Sequence, residues 1–306
     1  MRFLKLVGFV GATLLVWVAP VTSLSASPGR RVVADPVAHG RVPARGLHTA
    51  GRNRSPIMSY HGGKILSTVV TKAIYWGPSW TNGSFVGDKI SGLDAWYSGD
   101  NGSRYAATVN EYTDNLGRQV GSTGFVHQGY IIDPSAASGG SNTTTILNEV
   151  AKQVSAGNLV LDASGNSYVA VYVDVKRGNA GYCAWHSSGL IGNTVVQFAF
   201  FFNLDGDPGC DPQDTTTGHS QGLAALANVT AHELSEARSD PASPGAWYDS
   251  SGSENGDKCA WTFNVPSVTF SNGTHWKLQG EWSNAAYNAG TGYPNSAGQR
   301  GCLDGH

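Results

Sequence analysis

Two short apolar runs constrain the architecture of this chain more than any other feature. Tyr168 to Val175 (YVAVYVDV) and Val195 to Phe202 (VVQFAFFF) have strand length and are dominated by β-branched and aromatic residues. The first shows the alternation of a half-buried strand, and the second is apolar enough to lie at the centre of a sheet. Lys64 to Trp80 reads as one long strand closed by Gly77-Pro78, and Val126 to Ile132 as a further strand. Helical spacing gathers Ile146, Leu147, Val150, Ala151 and Val154 within Thr143 to Val154, after the capping residues Ser141 and Asn142. Gly87 to Tyr97 and the region from Tyr105 to Tyr112 read as short helices. This loose alternation predicts an α/β or α+β fold, a mixed β-sheet with packed helices. An irregular β-rich C-terminal part follows Ser250, with candidate strands at Val268 to Phe270, His275 to Leu278 and Gly280 to Trp282.

Composition supports a folded body. Of 306 residues only 14% are charged and 40% are hydrophobic, with nine tryptophans, which excludes disorder for most of the chain. The net charge of −2 conceals an asymmetry. Eight bases and one acid precede Ile57; removing them from totals of 20 and 22 leaves 12 bases and 21 acids, a body of charge −9. Such a body has no means of neutralising a phosphate backbone, so nucleic acid is excluded as a partner and cations are favoured.

The N-terminus reads as an export signal. Arg2 and Lys5 precede an apolar run of 14 residues, Leu6 to Ala19, and small residues follow at Ser23 to Ala26. Fourteen residues fall short of the roughly 20 that span a bilayer. Residues 1–26 are therefore expected to be a signal peptide, 27–56 a basic linker or pro-segment outside the core, and 57–306 one globular domain. For the stretch 27–56 the alternative is an arm that clings to the acidic body or to an anionic wall surface. The expected product is secreted, with no membrane span after signal removal. Cys183, Cys210, Cys259 and Cys302 lack any CxxC spacing, and an even count in an exported chain points to disulfides with three possible connectivities. Pairing of sequence neighbours, Cys183 with Cys210 and Cys259 with Cys302, is the expectation.

The segment with chemical content is Gln221 to Asp240 (QGLAALANVTAHELSEARSD). At about 100° per residue, Leu223, Leu226, Ala227, Thr230 and Leu234 share one face. His232 and Glu236 lie four apart on the other, with Glu233 between the two faces, and Asp240-Pro241 ends the helix. The result is an HExxE motif. Spacing of i and i+4 aims two side chains at one point, which is why HExxH holds zinc while its Glu polarises water. Glu236 in the last place is a hard anionic ligand that zinc accepts, as do calcium and manganese. The plain alternative is a His and Glu hydrogen-bonded to each other on a solvated surface.

The neighbourhood favours the metal. Asp205 to Lys258 holds ten acids against Arg238 and Lys258, a density that repels itself unless several share a cation. Glu254-Asn255-Gly256-Asp257 places two carboxylates around a glycine turn beside Cys259, a source of further ligands. The expected metal residues are thus His232, Glu236, Glu254 and Asp257, with Glu233 as the catalytic base. His186 is either a ligand or a residue packed beside Trp185. Asp205 to Cys210 resembles the opening of a calcium loop but lacks its later ligands. His61, His127 and His275 have no partner at diagnostic spacing.

Several blocks in series carry a family resemblance. They are Tyr60-His61-Gly62-Gly63, Ala73 to Trp80, Cys183-Ala184-Trp185-His186, Ala231 to Glu236 with Asp240-Pro241 and Ala246-Trp247-Tyr248, and Glu254 to Cys259. In this order they resemble the phosphate-induced protein 1 / EXORDIUM family, over nearly the whole chain from about Tyr60 to Cys302. Plant members carry a glycine-rich tract after the Asp-x-Cys element. Here Trp261-Thr262-Phe263 and Val265 to Val268 stand in its place, so the chain looks more like a bacterial-type member. The resemblance implies a secreted protein and brings no established catalytic activity.

Two function classes remain. One is a secreted metal-dependent hydrolase, peptidase-like, with a zincin-like arrangement of sheet and helix, acting on a peptide substrate. The other is a non-catalytic extracellular protein in which the same residues hold a structural cation and exposed aromatics bind cell-wall polysaccharide.

Overall fold

The computed structural model describes residues 31–47, 56–140 and 142–306, which leaves the expected signal peptide outside the described residues. Its centre is a mixed seven-stranded sheet built from β1 (Val32–Ala34), β2 (His39–Pro43), β3 (Val70–Trp76), β4 (Val126–Asp133), β5 (Ser167–Lys176), β6 (Tyr182–Ile191) and β7 (Thr194–Asn203). Across the sheet the order is β6, β7, β5, β3, β4, with β1 and β2 in tandem along the outer side of β6. β7, β5, β3 and β4 run parallel, while β6 is antiparallel to β7 and to both β1 and β2. The mixed α/β expectation is met.

Helices α1 (Lys89–Asp100), α2 (Thr143–Ser155) and α3 (Gln221–Ser239) pack on this sheet. On β6, His186 faces α3 while Gly189 abuts Leu147 of α2, and their odd spacing puts the two helices on opposite faces. Asn142 caps α2 by accepting from the N–H of Thr144 at 2.8 Å. Ile146, Leu147 and Val150 point into the core.

Three local expectations change. β5 is buried on both faces from Ser167 to Val173 rather than half-buried, because helices cover a parallel sheet on each side. Lys64 to Trp80 is not one strand: pairing begins at Val70 and a 3-10 turn starts at Pro78. Before Val70 the chain crosses beneath the end of α3, where the Leu66 N–H bonds the Arg238 carbonyl at 2.9 Å. β6 itself was not expected, since His186, Ser187, Ser188 and Gly189 interrupt its apolar pattern.

The stretch 27–56, read as a linker outside the core, is corrected in part. Its residues 32–34 and 39–43 are sheet strands, and Val42 is fully buried in the main core. Backbone pairing with an open sheet edge needs little side-chain periodicity, so its apolar sparsity concealed this role.

The C-terminal part is irregular and β-rich. Val268–Thr269 pairs with His275–Trp276, and Arg300–Leu303 pairs with both Glu281–Trp282 and Tyr293–Pro294. The strands near Tyr293 and Arg300 add to the expected set. Both disulfides join neighbours in sequence, Cys183 to Cys210 and Cys259 to Cys302. Two disulfides fit an oxidising compartment, and no helix among the described residues is long and apolar enough to cross a membrane.

Candidate metal centre

Helix α3 carries the HExxE motif into the interior. Ser220 caps it, its hydroxyl accepting from the Leu223 N–H at 3.1 Å, and all residues from Gly222 to Ser239 are buried. His232, Glu233 and Glu236 are completely inaccessible, which removes the solvated-surface alternative for these three.

The turn from Glu254 is bound to α3 residue by residue. The short helix α4 (Asn255–Lys258) is fixed by Asn255, whose amide donates to Ser235 Oγ at 2.7 Å and to Glu281 Oε2 at 2.9 Å. Ser239 Oγ donates to Asn255 Oδ1 at 2.8 Å, and the Asp257 N–H to Glu236 Oε1 at 2.9 Å. Gly256 meets the His232 ring so closely that a Cβ there would lie 2.9 Å from its Cγ. These contacts bring Glu254 and Asp257 to the HExxE pair.

The third element is β6. His186 Nε2 lies 3.3 Å from Glu254 Oε2 and 3.8 Å from Glu236 Oε2. On the other side, His232 Nε2 lies 3.0 Å from Glu236 Oε1 and 3.7 Å from Asp257 Oδ1. Two triads result, His186/Glu233/Glu236 and His232/Glu236/Asp257, each with ligand-type atoms within 4.8 Å of one another and with Glu236 common to both. All five residues expected at the site, Glu233 included, are therefore together, and His186 joins them. Sequence spacing left His186 open because its partners come from α3 and α4, remote in the chain.

Electrostatics here is governed by burial. Burial pushes the Glu233 and Glu254 carboxyls well above the usual range, with Glu236 the next cause for both. Burial also raises Glu236, and it lifts Asp257 to about 7. His186 is held well below its ordinary value by burial and then by His39, so its imidazole is neutral, the form that binds metals. In the absence of a cation burial favours the protonated forms of Glu233, Glu236 and Glu254 near neutral pH, while Asp257 lies close to its midpoint. A divalent cation reverses the balance by stabilising the ionised forms.

Polar atoms without protein partners mark the same spot. His186 Nδ1 and Nε2, both Glu233 oxygens, Glu236 Oε2, Glu254 Oε2 and His232 Nε2 are buried and make no hydrogen bond among the described residues. Such groups are rare in folded proteins because each forfeits hydration without return. Their convergence fits a cation.

The two histidines differ as ligands. Gln279 Oε1 accepts from the Trp261 N–H at 3.2 Å, and its Nε2 donates to the Gly256 carbonyl at 3.0 Å. This orientation turns the amide nitrogen to His232 Nδ1 at 2.8 Å, so Nδ1 accepts and the ring proton sits on Nε2. Ligation through Nε2 would require that amide to turn over. Among the described residues neither ring nitrogen of His186 has a competing partner, so His186 is the better-prepared ligand.

Other candidates resolve into structural roles. Asp205 pairs with Lys89 and Asp207 with Arg177, which accounts for the apparent calcium loop. Asp249 pairs with Lys258 at 2.6 Å. His61 stacks on Tyr248 with ring centroids 3.7 Å apart, His127 meets Asp94 at 2.9 Å, and His275 meets Thr269 at 3.0 Å. No family model matches the chain, and no curated protein matches it either.

Proposed function

We propose that this is a secreted, EXORDIUM-like protein acting as a metal-dependent hydrolase, peptidase-like, with its centre where α3, α4 and β6 meet. The carrying observation is the convergence of buried, unpartnered ligand atoms from His186, Glu233, Glu236, Glu254 and His232. His186, Glu236 and Glu254 would hold the cation, with His232 and Asp257 on the far side of Glu236. Zinc suits this mixture of imidazole and carboxylate best, while manganese and calcium remain alternatives to be distinguished by analysis. When bound, the cation supplies Lewis-acid polarisation of a carbonyl and acidifies water.

The chain's own residues supply the rest. Glu233 is one helical position from His232, and its carboxylate belongs to the same triad as His186 and Glu236. Unpaired with any base among the described residues, it is free to accept a proton at Oε1 or Oε2 and return it to a leaving group. Surrounding core side chains exclude bulk water, which strengthens each of these interactions.

Elemental analysis of the purified protein tests the assignment. A stoichiometric divalent metal is expected, reduced at least about tenfold in His186→Ala. Glu233→Gln should retain metal, and combined with Gly40→Val, whose side chain cannot sit against Glu236 and His186 and so opens the centre, it should lose roughly 100-fold or more of the hydrolytic rate on casein that Gly40→Val alone shows. Absence of metal from the intact protein would sink the proposal.

One observation favours a second reading. The whole cluster is closed from solvent apart from Asp257, whose side chain is 20% exposed, and closed sites are typically structural. A non-catalytic wall-associated protein would show metal with no hydrolysis by any variant, and binding to cell-wall polysaccharide in a pull-down.

A further inference from the structure

The second strand lies over the centre. β2 runs antiparallel to β6 with His39 opposite His186, Val42 opposite Ala184 and Pro43 opposite Tyr182. Between His39 and Val42 the register breaks, and Gly40 takes a left-handed φ of +48°. A Cβ on Gly40 would collide with Glu236 Oε2 and with the His186 ring, so only glycine lets the main chain press onto the cluster. The Val42 N–H faces the Glu233 carboxylate without closing a hydrogen bond to it, and the His39 ring centroid lies 6.1 Å from that of His186.

Flanking contacts grip the segment chiefly by its backbone. The Asp35 N–H donates to the Ser188 carbonyl at 2.8 Å, and the Ala44 N–H to the Gly181 carbonyl at 2.9 Å. Ser187 Oγ donates to the Val37 carbonyl at 2.8 Å, Thr143 Oγ1 to the Asp35 carbonyl at 2.6 Å, and Trp261 Nε1 to the Pro43 carbonyl at 2.6 Å. Strand addition of this kind recognises extended polypeptide through main-chain groups, with little demand on its sequence.

We infer that residues 35–44 are an inhibitory strap lying in a groove that binds extended polypeptide substrate along β6, so that the centre is latent while the strap is docked. The inference rests on the hydrolase reading above and adds to it the substrate class and its regulation. The strap crosses the centre kinked at Gly40, where a substrate strand would run straight along the edge. Its displacement frees a row of backbone donors and acceptors on β6 and uncovers Glu236 and His186 together.

Gly40→Val, introduced in the full chain, tests this, since its side chain cannot coexist with docking over Glu236. Zinc-loaded wild-type and variant proteins are compared for the rate of zinc extraction by a chelator and for cleavage of fluorogenic casein. Circular dichroism and titration of free thiols verify the fold. At least tenfold faster extraction is expected in the variant, with casein cleavage that a synthetic peptide of residues 32–46 suppresses when added back. Trp261→Phe, which keeps an aromatic ring but removes the Nε1 clasp on Pro43, should shift both readouts in the same direction by less. Zinc present in both proteins, with equal extraction rates and equal cleavage, overturns the strap and leaves the metal assignment standing. Full casein cleavage by wild type likewise overturns latency. Zinc bound by neither protein overturns the metal reading, and the strap with it.

Discussion

Gly256 shows how one side chain, or its absence, sets the spacing of the centre. It lies between α4 and the His232 ring, and a Cβ there would be 3.0 Å from Glu236 Oε1. Gly256→Ala should separate the turn from the helix at a cost of about 1–3 kcal/mol. The expected outcome is metal occupancy at least about tenfold lower with the Cys259–Cys302 bond intact, read by elemental analysis and thiol titration. At this scale the sequence was informative about His232, Glu233 and Glu236, whose spacing on a helix is geometry known in advance. Glu254 and Asp257 were legible as carboxylates about a glycine turn. His186 was not, because nothing within β6 marks it and its partners are brought to it by other segments.

Among the elements, α3 departs most from its expected form. The expectation was packing through its leucine face, with a solvated HExxE side only as the alternative, and α1, β2, β6, β7 and the α4 turn cover it all round. Covering a helix that bears His232, Glu233, Glu236 and Arg238 leaves charge to be answered inside. Arg238 donates to the Ala106 and Gly121 carbonyls, each at 3.1 Å, and is attracted by Asp100 and Glu281. Arg238→Met strips these partners of their cation and should destabilise the fold by about 3 kcal/mol in a denaturant titration. The turn after β7 gives a pH-dependent test. Asp207 takes a fork of bonds from Arg177, Nε to Oδ2 at 2.5 Å and Nη2 to Oδ1 at 2.9 Å, and that pairing holds its carboxyl below the usual range. A depressed folded pKa contributes stability above the unfolded value of about 3.9, lost as pH falls through the folded one. Asp207→Asn should therefore be less stable at neutral pH by about 1 kcal/mol, with the difference from wild type closing below about pH 3.

On the scale of the whole molecule, the Cys259–Cys302 bridge ties the end of α4 to the last strand across a sequence separation of 43. Cross-links of this length typically contribute about 2–4 kcal/mol, largely by restricting the unfolded chain. The paired change Cys259→Ser with Cys302→Ser should lower stability by that amount and loosen the metal, checked by thermal unfolding with and without zinc. By itself the sequence determined the strand-forming runs, the HExxE helix, the acidic turn that meets it and the excess of acids in the body. The first three are local properties, set by side-chain period, capping residues and charge, each complete within about 20 residues, and the last is a matter of composition. Only the tertiary structure decided that Lys89 and Arg177 neutralise Asp205 and Asp207, that His186 joins the cluster, and that residues 39–43 lie across it. Each of these depends on which distant backbone groups lie within hydrogen-bonding or ion-pair reach, and no local pattern records that distance.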